Sequence, residues 1–137
     1  MRLINGVEFI DQRVNRDMRG DLLAFEHFSN VPFPMERVFV MKVSSSEVTR
    51  GGHANSCDEL IVALTGSVEI HVDNGDERTA IGLDGYDRAL WIKPGILIHL
   101  RDFRPGTLLL VCASARYGET RHYDGAQPHL FMADCLA

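Results

Sequence analysis

The segment Arg50-Gly51-Gly52-His53-Ala54-Asn55, followed by Glu59 and Gly66, carries the residues of this chain best suited to proton chemistry. Residues i and i+2 of a β-strand point to one face. On a strand here, His53 and Asn55 look into the same space, and Glu59, which leads into the next apolar run, comes beside them. A histidine in a pocket takes or gives a proton near neutral pH, which makes His53 the candidate base. Asn55 hydrogen-bonds but cannot shuttle a proton. Gly51 and Gly52 let the backbone approach a ligand closely. The Arg50 guanidinium is a fork suited to phosphate or carboxylate.

The elements that must hold these residues are short strands. Apolar runs predict strands at Val7 to Ile10, Asp21 to Glu26, Arg37 to Val43, Glu59 to Leu64, Ser67 to Val72, Arg78 to Leu83, Ala89 to Ile92, Ile98 to Asp102 and Thr107 to Ala113. Ser67 to Val72 alternates polar and apolar residues. The following Asp73-Asn74-Gly75-Asp76 is a hairpin signal joining it to Arg78 to Leu83. Pro32 and Pro34, Asp84-Gly85 and Pro94-Gly95 mark breaks and turns. The tail from Gly118 onward has room for one short helix or strand. No long helical period, internal repeat or low-complexity tract appears. The expected fold is all-β, a single jelly-roll domain over residues 1–137 made of an antiparallel double sheet.

Bulk properties narrow the function. With 137 residues the chain suits one domain with a real core. The net charge of -5 argues against a nucleic-acid surface, although a few local arginines suffice for a small phosphorylated ligand. Cys57, Cys112 and Cys135 show no CxxC spacing, so neither a disulfide framework nor a structural zinc site is expected. No apolar run approaches membrane-spanning length and the first residues show no signal-peptide pattern, so a cytoplasmic location with no membrane partner is expected. His53, Glu59 and His99 would make a two-histidine, one-carboxylate set of the kind that suits non-haem iron. His27, His71, His122 and His129 show no ligand spacing.

The glycines, His53-x-Asn55, Glu59 and Gly66 resemble the first cupin motif, and Gly85, Pro94-Gly95 and His99 loosely resemble the second. More specifically, the chain resembles the sugar-nucleotide 3,4-ketoisomerases over roughly residues 5 to 131. The resemblance rests on Asp17-x-Arg19-Gly20-x-Leu22, Pro32-Phe33, Arg37-Val38-Phe39 and Arg50-Gly51-x-His53-Ala54. It continues through Pro94, Asp102-Phe103, Val111-x-Ala113-Ser114, Tyr117-x-Glu119 and Tyr123-Asp124. It implies a metal-free, cofactor-free isomerase that moves the ketone of dTDP-4-keto-6-deoxyglucose from C4 to C3 through an enediol. It also implies a homodimer, which suits small sheets with open edges.

On this resemblance His53 is expected to act as base, Asn55 to contact an enediolate oxygen or orient His53, and His99 to serve as a second acid. Arg19, Arg37, Arg50 and Arg101 are candidates for a diphosphate clamp. Glu59, Asp102 and Tyr117 are expected among the substrate contacts, and Trp91 is the candidate platform for thymine. The chain departs from the family where His-Ala-His stands as His53-Ala54-Asn55, and where the Trp-His pair after the proline stands as Leu97-Ile98. Three other readings stay open: a 3,5-epimerase of the same substrate class, a metal-dependent cupin enzyme, and a sugar-nucleotide-binding protein without catalysis.

Overall fold

Turn signals every few residues leave no room for long elements, and the chain folds as short strands. A computed structural model describes residues 1–131. In chain order the strands are β1 (Arg2–Ile4), β2 (Val7–Asp11), β3 (Asn15–Asp17), β4 (Gly20–Leu22), β5 (Arg37–Val43), β6 (Arg50–Asn55) and β7 (Glu59–Thr65). They continue as β8 (Val68–Asp73), β9 (Arg78–Leu83), β10 (Arg88–Ile92), β11 (Leu97–Arg101), β12 (Thr107–Ala113) and β13 (His122–Tyr123). A single 3-10 turn, Tyr117–Glu119, stands between the last two.

Six strands form one sheet in the order β1-β2-β10-β7-β12-β5, and five form a second in the order β13-β6-β11-β8-β9. The hairpin β3–β4 stands apart. All of these strand pairs are antiparallel. The two large sheets share one core: Val7, Phe9, Ile61, Leu90 and Leu109 from the first pack with Val68, Ile70, Val72, Leu83 and Leu100 from the second. This is the expected jelly-roll double sheet.

A second apolar cluster explains why β7 reads as an unbroken apolar run. Leu60, Val62, Ala89 and Cys112 point to the other face of the six-stranded sheet, where Val31 and Phe33 cover them. β7 is therefore buried on both faces and needs no polar alternation. The covering segment also accounts for a departure from expectation. The strand expected at Asp21 to Glu26 shrinks to Gly20–Leu22. The residues after it, broken by Pro32 and Pro34, cross the sheet rather than pair with it, and they bury Val31 and Phe33.

The strands at Arg37–Val43, Arg78–Leu83 and Thr107–Ala113 stand as read from the sequence, and the remaining long ones agree to within a residue at either end. β6, expected around His53 without bounds, spans Arg50–Asn55, and the three very short strands β1, β3 and β13 are the additions. Cys57 and Cys112 are free thiols in buried positions, while Cys135 lies outside the described residues. Among the described residues no helix is long and apolar enough to cross a membrane.

Gly66 shows how tightly the two sheets are joined. It adopts φ +77°, and a Cβ there would lie 2.2 Å from Thr107 Oγ1. Thr107 is fully buried. Its hydroxyl accepts from the Ser67 N–H at 3.0 Å and donates to the Arg104 carbonyl at 2.6 Å, tying the β7–β8 turn to the start of β12. Gly66→Ala combines left-handed strain with loss of this staple, and is expected to cost about 2–3 kcal/mol in urea unfolding. A midpoint unchanged from the parent protein would show that the turn can re-form around a side chain.

Candidate active site

A cavity of about 600 Å³ opens between the two sheets, with walls drawn from both. β5 contributes Arg37, Phe39 and Met41, as its alternation dictates. β7 contributes Glu59 and Ile61, β11 Ile98 and Leu100, and β12 Val111. β6 contributes Arg50, Gly51, His53 and Asn55, and Tyr117 and His122 come from the segment beyond β12. The walls are thus mostly apolar, with polar groups from β6 and the segment beyond β12 facing Arg37 and Glu59 of the other sheet.

His53 and Asn55 share the cavity face through the ordinary two-residue repeat of a strand. Arg50 would fall on the opposite face of a regular strand, because it lies three residues before His53. An irregularity in β6 corrects this. His53 stands opposite Ile98 and Gly51 opposite His99, so Gly52 is the extra residue between them; Arg50 then stands opposite Leu100. Ile98 and Leu100 both face the cavity, so Arg50 and His53 do as well. Gly51 and Gly52 adopt φ +82° and +88°, and a Cβ on Gly51 would lie 2.7 Å from the Ile98 carbonyl oxygen. The two glycines thus allow the backbone path that brings His53 and Arg50 to one face.

Deep in the cavity, Asn55 Nδ2 donates to Glu59 Oε1 at 2.7 Å. Glu59 is only 5% exposed. Burial pushes its carboxyl above the usual range, and the Asn55 hydrogen bond and the Arg37 charge offset this in part. The bond also changes what Asn55 offers a ligand. Its donor is taken by Glu59, while its Oδ1 is buried and unpartnered among the described residues, so the free valence is an acceptor. An oxygen contact from Asn55 would therefore be to a hydroxyl, not to an enediolate.

Arg37 Nε is likewise buried without a partner among the described residues. Its guanidinium lies 4.9 Å from the Phe39 ring centre and 5.5 Å from that of Tyr117. The His53 ring meets that of His122 edge to face, with centroids 4.9 Å apart. Burial holds the His53 imidazole below the usual histidine range, and the nearby His122 and His99 add to this while Asp124 opposes it. His53 is therefore neutral, and competent as a base, at neutral pH.

Of the residues expected from sequence, His53, Asn55, Glu59, Arg37, Arg50 and Tyr117 converge on the cavity. The others lie elsewhere. His99 falls between the inward Ile98 and Leu100 and stands opposite His71, on the other face of the five-stranded sheet. Trp91 packs with the outer apolar cluster and donates to Asp58 Oδ1 at 2.9 Å. Arg101 is exposed at the end of β11, and Asp102 follows it in a left-handed turn at φ +53°. Arg19 projects from the β3–β4 turn with its side chain 91% exposed and paired to Asp17 at 2.6 Å. Among the described residues no three of His, Cys, Asp and Glu gather as metal ligands. His122 is the cavity residue that spacing alone did not single out. The only hint was its position between Tyr117-x-Glu119 and Tyr123.

The chain matches the family described as FdtA: WxcM-like, C-terminal over residues 5–131. It is 32% identical over 118 residues to the TDP-4-oxo-6-deoxy-alpha-D-glucose-3,4-oxoisomerase of Aneurinibacillus thermoaerophilus, covering 83% of this chain and 85% of that protein. It superposes with a TM-score of 0.84 on a double mutant of the QdtA 3,4-ketoisomerase from Thermoanaerobacterium thermosaccharolyticum in complex with TDP, at 31% identity and 90% coverage of both chains. A histidine-to-asparagine mutant of the same QdtA, in complex with TDP-4-keto-6-deoxyglucose, also gives a TM-score of 0.84, at 27% identity, covering 96% of this chain and 95% of that one.

The buried Glu59 carboxyl makes a signed prediction. Its raised value means that the folded state holds this proton more tightly than the unfolded chain, so its contribution to stability falls as pH rises from the ordinary carboxylate range through the folded value. Glu59→Gln keeps an oxygen for Asn55 and removes the titration. It is expected to stabilise the protein at neutral pH relative to the parent and to lose that advantage near pH 4, as read by urea midpoints at both pH values. An equal effect at both would show that the carboxyl is not the source.

Proposed function

This chain belongs to the FdtA (WxcM-like, C-terminal) family, and we propose that it is a sugar-nucleotide 3,4-ketoisomerase acting on dTDP-4-keto-6-deoxyglucose. The observation that carries this reading is the convergence of His53 with Arg37 and Arg50 in one largely apolar cavity. A base stands beside two anion forks, which is what a diphosphate-linked sugar with an acidic C–H bond requires. The similarity to a named oxoisomerase and to ketoisomerases bound to TDP or its keto-sugar supports the same reading.

In this mechanism Arg37 and Arg50 hold the diphosphate and so fix where the sugar ring lies. His53, neutral at working pH, removes the proton from C3, which the adjacent C4 ketone acidifies. The electrons pass into the C3–C4 bond and the C4 oxygen, giving an enediol. Delivery of a proton to C4 then leaves the ketone at C3. One base can serve both carbons when they lie on the same side of it. Asn55 Oδ1, unpartnered in the cavity, accepts from a sugar hydroxyl, while Glu59 fixes the amide's orientation. Phe39, Met41, Ile61 and Val111 keep the reacting face apolar, which strengthens each polar contact in the bound complex.

The same reading includes a cytoplasmic location and a homodimer. Support for the dimer comes from β5, the free edge of the six-stranded sheet, where Val38 and Val40 are each 55% exposed. An apolar edge of this kind is usually covered. The dimer is expected by sedimentation at micromolar concentration, and Val40→Lys is expected to shift it toward monomer. A parent protein that is monomeric would sink this part of the reading.

Incubation with dTDP-4-keto-6-deoxyglucose in D2O, followed by NMR, should give the 3-keto product with deuterium at C4, at a rate indifferent to chelator. His53→Asn should lower turnover by about 10²–10⁴-fold. Because His53 lies below the usual histidine range, the acid limb of kcat/KM should fall at lower pH than for an unperturbed histidine. Deuterium at C3 and C5 without ketone movement would point instead to an epimerase. Full activity in His53→Asn would remove His53 from the mechanism.

A further inference from the structure

Ketone migration moves two hydrogens, and the mechanism above accounts for one. The C3–H bond breaks and a C4–H bond forms, while the C3 oxygen loses its proton to become the carbonyl and the C4 oxygen gains one to become the hydroxyl. No oxidant or reductant is needed, since the electron pair stays within the sugar. While His53 carries the proton taken from carbon it is an imidazolium, and it cannot also accept the hydroxyl proton. A second group must therefore give and take at the oxygens. Asn55 does not titrate. Glu59 is 5% exposed and its Oε1 is occupied by Asn55. Tyr117 is 70% exposed, and its ring meets that of His122.

The register of β13 supplies a better candidate. β13 pairs antiparallel with β6, and His122 stands directly opposite Asn55. Directly opposed residues share a face of a sheet. His122 therefore faces the cavity for the same reason that Asn55 does, and His53, two residues earlier on β6, is its diagonal neighbour. The result is the edge-to-face contact of the two imidazoles at 4.9 Å between centroids. The far side of His122 meets the Tyr117 ring at 5.6 Å. His122 lines the cavity yet is exposed, so its proton can exchange with solvent between turnovers.

We propose that His122 is the second proton carrier of this site, taking the proton from the C3 hydroxyl and supplying one to the C4 oxygen while His53 works at the carbons. The proposal rests on the ketoisomerase reading. Two imidazolium rings with centroids 4.9 Å apart would repel each other, so a charge on His122 disfavours one on His53. That fits a division of labour in which one ring is charged while the other is neutral.

The test uses the full chain, dTDP-4-keto-6-deoxyglucose and D2O, and reads two quantities by NMR: deuterium entering C3 of the starting ketone, and the 3-keto product. His122→Phe keeps an aromatic ring in place, and His122→Gln provides a second variant of different shape; TDP binding by calorimetry checks that each is folded. In both, product formation, which needs both oxygen transfers, is expected to fall about 100-fold or more, and C3 exchange, which needs only the proton given to the C4 oxygen, is expected to fall clearly less. His53→Asn should lose both. Parent-like product formation in both His122 variants overturns the proposal and leaves the ketoisomerase reading standing. Equal loss of exchange and product, with TDP binding intact, also overturns the assigned division. A parent protein that neither exchanges nor isomerises removes the underlying reading and the proposal with it.

Discussion

The extra residue in β6 is the constraint on which the site depends. A regular strand would place Arg50 on the opposite face from His53, so that the two would not line one cavity. The Gly51-Gly52 irregularity shifts the register against β11 by one residue and brings both side chains inward. The close approach of Gly51 to the Ile98 carbonyl oxygen shows what the path demands: a Cβ would meet backbone there, not a flexible side-chain tip. The glycine pair is thus a requirement of the backbone path that places Arg50 and His53 on one face.

Around that irregularity the protein accepts an electrostatic cost. Glu59 opens the central strand β7, which is covered on both faces, and burial there disfavours its charge. Asn55 satisfies one oxygen of the carboxyl and in doing so presents its own carbonyl oxygen without a partner. Arg37 similarly leaves Nε unpaired beside two aromatic rings. Unsatisfied buried polar atoms are unfavourable by about 1–3 kcal/mol each. Polar ligand groups that complete these bonds would recover that free energy on binding, which is how a site gains specificity without a large polar area. The chain's net charge of -5 does not conflict with this, since two arginines set the local field of the cavity.

Much of the fold was legible because it is written in short-range signals. The β8–β9 hairpin follows from strict alternation in Val68–Asp73 and from the Asn-Gly turn, where Asn74 Oδ1 accepts from the N–H groups of Asp76 and Glu77 at 2.9 and 2.7 Å. The fate of the segment after β4 was not legible. Its aromatic residues suit a strand as well as a cover, and only packing against Leu60 and Cys112 distinguishes the two. In the site, the same-face placement of His53 and Asn55 followed directly from the strand repeat. That repeat also predicts that His99 lies on the other side from Ile98 and Leu100, but the sequence could not say which of these faces inward.

The sequence by itself placed His53 and Asn55 on one face, singled out Arg37, Arg50 and the glycine pair, and fixed the double-sheet class, because residue type and a two-residue period are local properties. It could not determine partners across strands. That His122 lies opposite Asn55 depends on the register of a two-residue strand at the far end of the chain. That Trp91 and Arg19 lie away from the cavity depends on which sheet face and which projecting turn carries them. These are long-range pairings fixed by the packing of two sheets around one core, and no window of sequence contains both members of such a pair.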